Sequence, residues 1–191
     1  MQPTLDTVKT EFKEFEVKYL LDDSFDAEQF FITLRNLGSP IEKHLDVTDT
    51  YFTFAGRPDF IYRHRHDEEI QQLTVKSYGG DTRNRVEVNL ALKNPASQKD
   101  AILTFLRSFG EPQEFGIAKR VDIFDFPDCE IVHYLARSGD KTARCVEFEA
   151  VGVDTWEEAQ SVIERYAEAT GFQKRERCEI ALFDLLHGEQ S

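Results

Sequence analysis

From Glu14 to Tyr19 the chain alternates: Glu14, Glu16 and Lys18 fall on one side and Phe15, Val17 and Tyr19 on the other, the two-residue period of a strand. That period recurs along the chain and predicts strands over 12–20, 46–54, 60–66, 71–78, 83–92, 117–126, 129–137 and 143–151. Short breaks rich in Gly, Pro, Asn and Ser punctuate the pattern at Asn36 to Pro40, Gly79 to Thr82, Lys93 to Ser97, Gly110 to Gln113 and Ser138 to Lys141. Helical spacing fills 26–37, 97–109, 155–170 and 176–187; the third of these has Thr155 as its cap, Glu158 three residues on, and Gly171 past its end. Most connections between strands are too short for parallel crossovers, so the sheet is expected to be antiparallel. Eight such strands can close into a barrel that removes exposed edges and holds packed side chains or one small ligand inside. The expected fold class is α+β: an eight-stranded antiparallel β-barrel, or tunnel, with flanking helices, formed by residues 1–191 as one domain.

The polar face of these strands has an unusual composition. Arg63 and Arg65 share a face, Lys76 lies opposite Leu73 and Val75, Arg83, Arg85, Glu87 and Asn89 alternate with Val86, Val88 and Leu90, and Glu147 and Glu149 alternate with Val146 and Phe148. A wet sheet face gives alternation too, but it draws freely on Thr, Ser, Gln and Lys. Here Glu and Arg are concentrated. Like charges two apart, as in Glu14 with Glu16 and Glu147 with Glu149, are unfavourable unless a cation lies between them, and carboxylate oxygens are the ligands Mg²⁺ and Mn²⁺ prefer. Arg63, Arg65 and Arg85 offer bidentate forks suited to phosphate oxygens, with Lys18 and Lys76 as point charges. Acids and bases in one enclosed space suit a polyphosphate chelated to metal. Salt bridges within the barrel are the rival account, and would leave no room for a ligand.

Composition narrows the field. The 36 Asp+Glu against 23 Lys+Arg give a net charge of −13, which disfavours DNA or RNA as a partner. With 40% apolar residues and sixteen Phe, the chain has the material for a cooperative core, and disorder is excluded. No apolar run approaches a membrane span or a signal peptide, so a cytoplasmic location and no membrane partner are expected. Three cysteines without a CxxC pair argue against a disulfide framework or a structural zinc.

Taken together, Glu14-Phe15-Glu16-Val17-Lys18 resembles the ExExK signature of the CYTH domain, the triphosphate tunnel metalloenzyme fold. Asp49-Thr50-Tyr51-Phe52 resembles that family's second strand, Tyr62-Arg63-His64-Arg65 its RxR strand, Leu73-Thr74-Val75-Lys76 its lysine strand, and Arg85-Val86-Glu87 and Glu147-Phe148-Glu149 its later RxE and ExE strands. The motifs follow in order over nearly the whole chain. The resemblance implies a tunnel that binds a triphosphate with Mg²⁺ or Mn²⁺. It implies hydrolysis of inorganic tripolyphosphate, thiamine triphosphate or a nucleoside triphosphate. The alternatives are a class IV adenylyl cyclase, which converts ATP to cyclic AMP and pyrophosphate, and a binding module without turnover. Glu14, Glu16, Glu87, Glu147 and Glu149 would then be metal ligands; Lys18, Arg63, Arg65, Lys76, Arg85 and Arg120 would hold phosphate; Glu14, Glu16 and Lys76 would be catalytic. Of Lys119 and Arg120, parity with Asp122 favours Arg120 as the inward residue and leaves Lys119 to solvent. A homodimer is an open expectation.

Some positions depart from the family pattern: Asn89 where a second Glu follows RxE, Ala118 before the basic pair, His133 where an Asp is common, and no Ser-Tyr before Leu185-Leu186. These bear on a second metal site and on the substrate, while the phosphate cradle stays intact. His64 and His66 lie on the face opposite the arginines and are expected to pack outside. Cys129 and Cys145 are expected as small buried hydrophobes near each other on adjacent strands, and Trp156, Ile163 and Tyr166 as core.

Overall fold

A computed structural model describes residues 13–67, 70–77, 85–93 and 96–188, with the side chains of Lys13, Glu14 and Arg85 outside the description. In chain order the strands are β1 (Lys13–Glu14), β2 (Glu16–Leu21), β3 (Ile41–Thr53), β4 (Phe60–His66), β5 (Gln71–Ser77), β6 (Arg85–Ala91), β7 (Gln113–Asp125), β8 (Cys129–Ser138) and β9 (Lys141–Ala150). The helices are α1 (Ala27–Leu37), α2 (Lys99–Leu106), α3 (Trp156–Ala169) and α4 (Leu182–His187).

Every pairing is antiparallel, in the order β1-β6-β5-β4-β3-β7-β8-β9-β2. The outermost members of that list, β1 and β2, are one strand interrupted at Phe15. Glu14 pairs with Arg85 of β6 while Glu16 pairs with Glu149 of β9, so the first strand joins both ends of the sheet and curls it round a lumen. The α+β antiparallel tunnel with flanking helices is therefore the fold observed.

Three apolar clusters hold it. On the outer face Phe15, Val17, Tyr19, Phe124, Ile131, Val146 and Phe148 are covered by Phe30 and Leu34 of α1 and by Ala159, Ile163 and Tyr166 of α3, with Trp156 partly buried against them. A second outer cluster, Phe52, Phe54, Tyr62 and Leu73, is covered by Ile102 and Leu106 of α2. The third lies inside: Val47, Tyr51, Ile61, Ile117, Tyr134, Ala136, Ala143 and Cys145 close around Leu182 and Leu186 of α4. Burial of such side chains is favourable by about 1.5–3 kcal/mol each.

Local signals survive well. Thr155 and Glu158 form a reciprocal capping box, and Gly171 takes a positive φ of 79° beyond α3. Three boundaries move, among them the start of β7, which lies at Gln113 where 117 was expected. β3 begins at Ile41, ahead of the expected 46, because the mostly exposed segment 41–45 shows no apolar alternation, yet its backbone pairs fully with Val121–Asp125. The expected helix over 176–187 is helical only from Leu182: residues 175–181 are neither helix nor strand, and the Cys178 amide donates to the Lys18 carbonyl at 2.7 Å. Cys129 and Cys145 are both fully buried thiols, pushed up to about 12 chiefly by burial, but they stand on opposite faces of the sheet, in the outer and inner clusters. Their expected proximity is not found, because 129 and 145 pair with Ala150 and Tyr134 respectively. Among the described residues no helix is long and apolar enough to cross a membrane.

Candidate functional site

The lumen is a cavity of about 300 Å³, polar at one end and floored by α4 at the other. Strand alternation places Glu16 and Lys18 of β2, Arg63 and Arg65 of β4, Lys76 of β5, Glu87 and Asn89 of β6, and Glu147 and Glu149 of β9 on its wall. Nine residues that the alternation singled out on separate strands thus meet in one space. Glu14 and Arg85 face each other as backbone partners across β1 and β6, but their side chains lie outside the described residues.

Other lining residues were missed. Lys119 is 8% exposed and faces inward, whereas Arg120 is exposed on the outside, so the expected order of the pair is reversed. Asp122 does share a face with Arg120, but that face is the outer one, where Asp122 accepts from His133 at 2.8 Å and His44 at 2.7 Å. Val121 and Ile123 point inward. His133, stacked against Phe25, accordingly has no place in the lumen. The carboxylate that faces Glu149 from β8 is Glu130. Asp49, Glu130 and Tyr134 were not singled out, although the register Glu130↔Glu149↔Glu16 would have marked the second. His64 packs outside as expected, 3% exposed and bonded to Gln71 at 3.0 Å.

The β3–β6 side is internally neutralised. Asp49, wholly buried, takes Arg65 Nε at 2.9 Å and Lys119 Nζ at 2.7 Å. Burial works hardest against its charge, yet Lys119, Arg65 and Arg63 together outweigh burial and hold the carboxyl far below the ordinary range. Glu87 takes Lys76 at 3.0 Å and Arg63 at 3.4 Å. Burial again pushes upward, and the two cations again prevail. Arg63 also donates to Thr74 at 3.1 Å, and Thr74 donates to Asn89 at 2.6 Å.

The β2–β9–β8 side is different. Glu16, Glu149 and Glu130 stand in one row across three adjacent strands. Burial first, then Glu130, Glu16 and Glu87, push Glu149 up to about 8. Glu147 is raised by burial and by Glu16 against the pull of Lys18, and Glu130 by burial and Asp125. The cation of Lys76 reaches Glu16 only at 3.7 Å. At Glu130, Glu147 and Glu149 burial and neighbouring carboxylates together outweigh the cations that act on them.

Among the described residues no group of three or more His, Cys, Asp or Glu side chains is already arranged to hold a metal ion. The donor chemistry nevertheless fits a hard divalent cation: several carboxylates, no thiol or imidazole among them, each destabilised by its neighbours.

No protein-family model and no curated protein matches the sequence. Solved structures do match in fold. A protein of Pyrococcus horikoshii superposes with a TM-score of 0.73 at 16% identity over 91% of this chain and 99% of its own. A candidate adenylate cyclase from Bacillus halodurans gives 0.63 at 15% identity over 91% and 97%. A candidate adenylyl cyclase from Hippeastrum with a dominant triphosphatase activity gives 0.62 at 15% identity over 90% and 94%. The tunnel fold that the motifs implied is thus shared along the length of the chain.

Proposed function

We propose that this chain hydrolyses a triphosphate, held in the lumen with a divalent cation. The observation that carries this reading is the division of one cavity into a basic side that is locally paired and an acidic side where burial and neighbouring carboxylates outweigh the nearby cations and raise Glu130, Glu147 and Glu149. A polyanion and a cation entering together satisfy both. The triphosphatase activity of the Hippeastrum neighbour supports the same reading.

In this scheme Arg63, Arg65, Lys18, Lys76 and Lys119 bind phosphate oxygens, and hold the chain of phosphates in line for attack. Arg85 is proposed to join them, while Arg120, outside the lumen, does not. Glu16, Glu147 and Glu149, with Glu130 and Glu14, would hold Mg²⁺ or Mn²⁺, which when bound neutralises charge on the phosphates and makes a bound water more acidic. Glu87 is committed to Lys76 and Arg63 and orients them. Water adds to the terminal phosphorus, the bond to the bridging oxygen breaks, and orthophosphate leaves with the water's proton passed to a carboxylate or to solvent. A soluble triphosphate inside the cell is the proposed substrate pool.

A cyclase is the second reading, favoured by the adenylate cyclase neighbours. The same cradle would hold ATP while a ribose hydroxyl replaces water. Incubation of the pure protein with Mg²⁺ or Mn²⁺ and, separately, tripolyphosphate, thiamine triphosphate and ATP decides between them. Orthophosphate release is the expected result. Cyclic AMP with pyrophosphate would establish the cyclase, and tight binding without product would reduce the chain to a binding module.

A further inference from the structure

Several lumen residues belong to none of the motifs, Tyr134 among them. Tyr134 of β8 is 3% exposed, and its hydroxyl donates to Glu147 Oε1 at 2.7 Å. The ammonium of Lys119 lies 5.6 Å from the centre of its ring, with the Tyr51 ring at 5.9 Å. Lys119 in turn holds Asp49, and Asp49 holds Arg65. These side chains form a belt from β4 through β3, β7 and β8 to β9, where Glu147 stands opposite Lys18 of β2. Tyr134 is the neutral link in that belt. On one side is a cation from the basic half of the lumen, and on the other a carboxylate from the acidic half.

We infer that Tyr134 is a positioning residue that keeps Glu147 and Lys119 apart, tethering the carboxylate by its hydroxyl and seating the ammonium on its ring. The Lys119 charge already acts on Glu147 across the lumen, and without such a spacer that attraction would draw the two toward a direct ion pair. That pair would remove a phosphate-binding cation and a metal-binding carboxylate at once. A tyrosine suits the place because its ring face attracts a cation while its edge hydroxyl donates to an anion.

This inference rests on the proposed triphosphatase reading, and its test separates the two. Tyr134→Phe keeps the ring in the inner cluster that also holds Val121, Ala136 and Leu182, so the fold is expected to be retained. Removal of the tether is expected to weaken Mn²⁺ binding to the substrate-free protein by about tenfold, measured by calorimetry, the scale of a lost hydrogen bond to a charged group. With saturating Mn²⁺ and tripolyphosphate, kcat falls by a similar factor and KM moves little, because the hydroxyl is engaged by Glu147. The decisive step is a double-mutant cycle on Mn²⁺ affinity with Glu147→Gln. If Tyr134 acts through Glu147, Tyr134→Phe has no further effect in that background. Full additivity, or wild-type Mn²⁺ affinity in Tyr134→Phe, overturns the inference and leaves the triphosphatase reading standing. A wild-type protein that neither binds Mn²⁺ nor releases phosphate overturns both.

Discussion

Carboxylates on the two sides of this lumen live under opposite conditions. Asp49 and Glu87 each touch two cations and stay ionised despite deep burial. Glu149, Glu147 and Glu130 sit on neighbouring strands among one another, and their protons are held more tightly than usual. The strands, the alternation and the residue type are the same in both places; the difference is the partner. A carboxylate paired within the chain contributes to the fold. One placed beside its own kind lowers stability when ionised, and in the proposed function a bound cation relieves that repulsion. The comparison therefore predicts opposite consequences when an acid is neutralised on either side.

The largest effect is expected on the paired side. Asp49→Asn leaves the buried Lys119 and the half-buried Arg65 without their shared counter-charge, a change of about 3 kcal/mol in stability. Thermal unfolding should show a midpoint lower by on the order of 10 °C. An unchanged midpoint would show that the pairing carries no structural weight.

Next in size, and opposite in kind, is Glu16→Gln. Activity with tripolyphosphate is expected to fall on the order of a hundredfold or more, since a carboxylate proposed to hold the cation is lost. The folded state should be no less stable in the absence of metal, because a repulsive member of the row with Glu149 has gone. Parallel loss of activity and stability would make Glu16 a structural acid like Asp49 and erase the contrast between the two sides.

How much of this was legible in the sequence follows from the same physics. Where polar and apolar residues alternate cleanly, as in β2, β4, β5 and β9, the charged positions reached the lumen as expected: Glu16, Lys18, Arg63, Arg65, Lys76, Glu147 and Glu149. In β7 the code inverts. Val121 and Ile123 face the lumen near its apolar floor, while Asp122 faces outward to a pair of histidines, so polarity pointed to the wrong face and Lys119 was exchanged for Arg120. Glu130 stands alone between Cys129 and Ile131, and only the register across β8, β9 and β2 gives it company. The Leu182 and Leu186 spacing in α4 was readable as helix, but nothing local says that the helix docks inside a barrel. Pattern gives the face of a residue; pairing gives its neighbours.

That reversal sets up a smaller pair of effects. Arg63→Ala removes a fork shared by Thr74 and Glu87 and is expected to raise KM for tripolyphosphate by about tenfold or more, the scale of hydrogen bonds to a charged group. Arg120→Ala, on the outer surface, should leave kcat and KM within about twofold. Steady-state kinetics on the two variants measure this directly, and a large effect at Arg120 would mean that the solution structure turns β7 the other way.

The smallest effect is a pH dependence whose sign differs between the sides. Glu149 rises from 4.5 to about 8, and Glu130 and Glu147 rise with it, so in this range the folded protein binds more protons than the unfolded chain. Stability from these groups is present below the unfolded value and is lost as pH climbs toward about 8. Asp49 and Glu87 are depressed, so their contribution is present above the unfolded value and disappears only as pH falls into the acid range. Metal-free protein should therefore unfold at a lower temperature at about pH 8 than at about pH 5, and Glu149→Gln should flatten that slope and add about 1 kcal/mol at the alkaline end. Mn²⁺ competes with protons for the same oxygens, so it should stabilise the protein more at the higher pH. Calorimetric scans across that range, with and without Mn²⁺, check both statements. A flat profile, or equal stabilisation by metal at both ends, would mean that the acidic row is already satisfied within the chain, and the two sides of the lumen would then be alike.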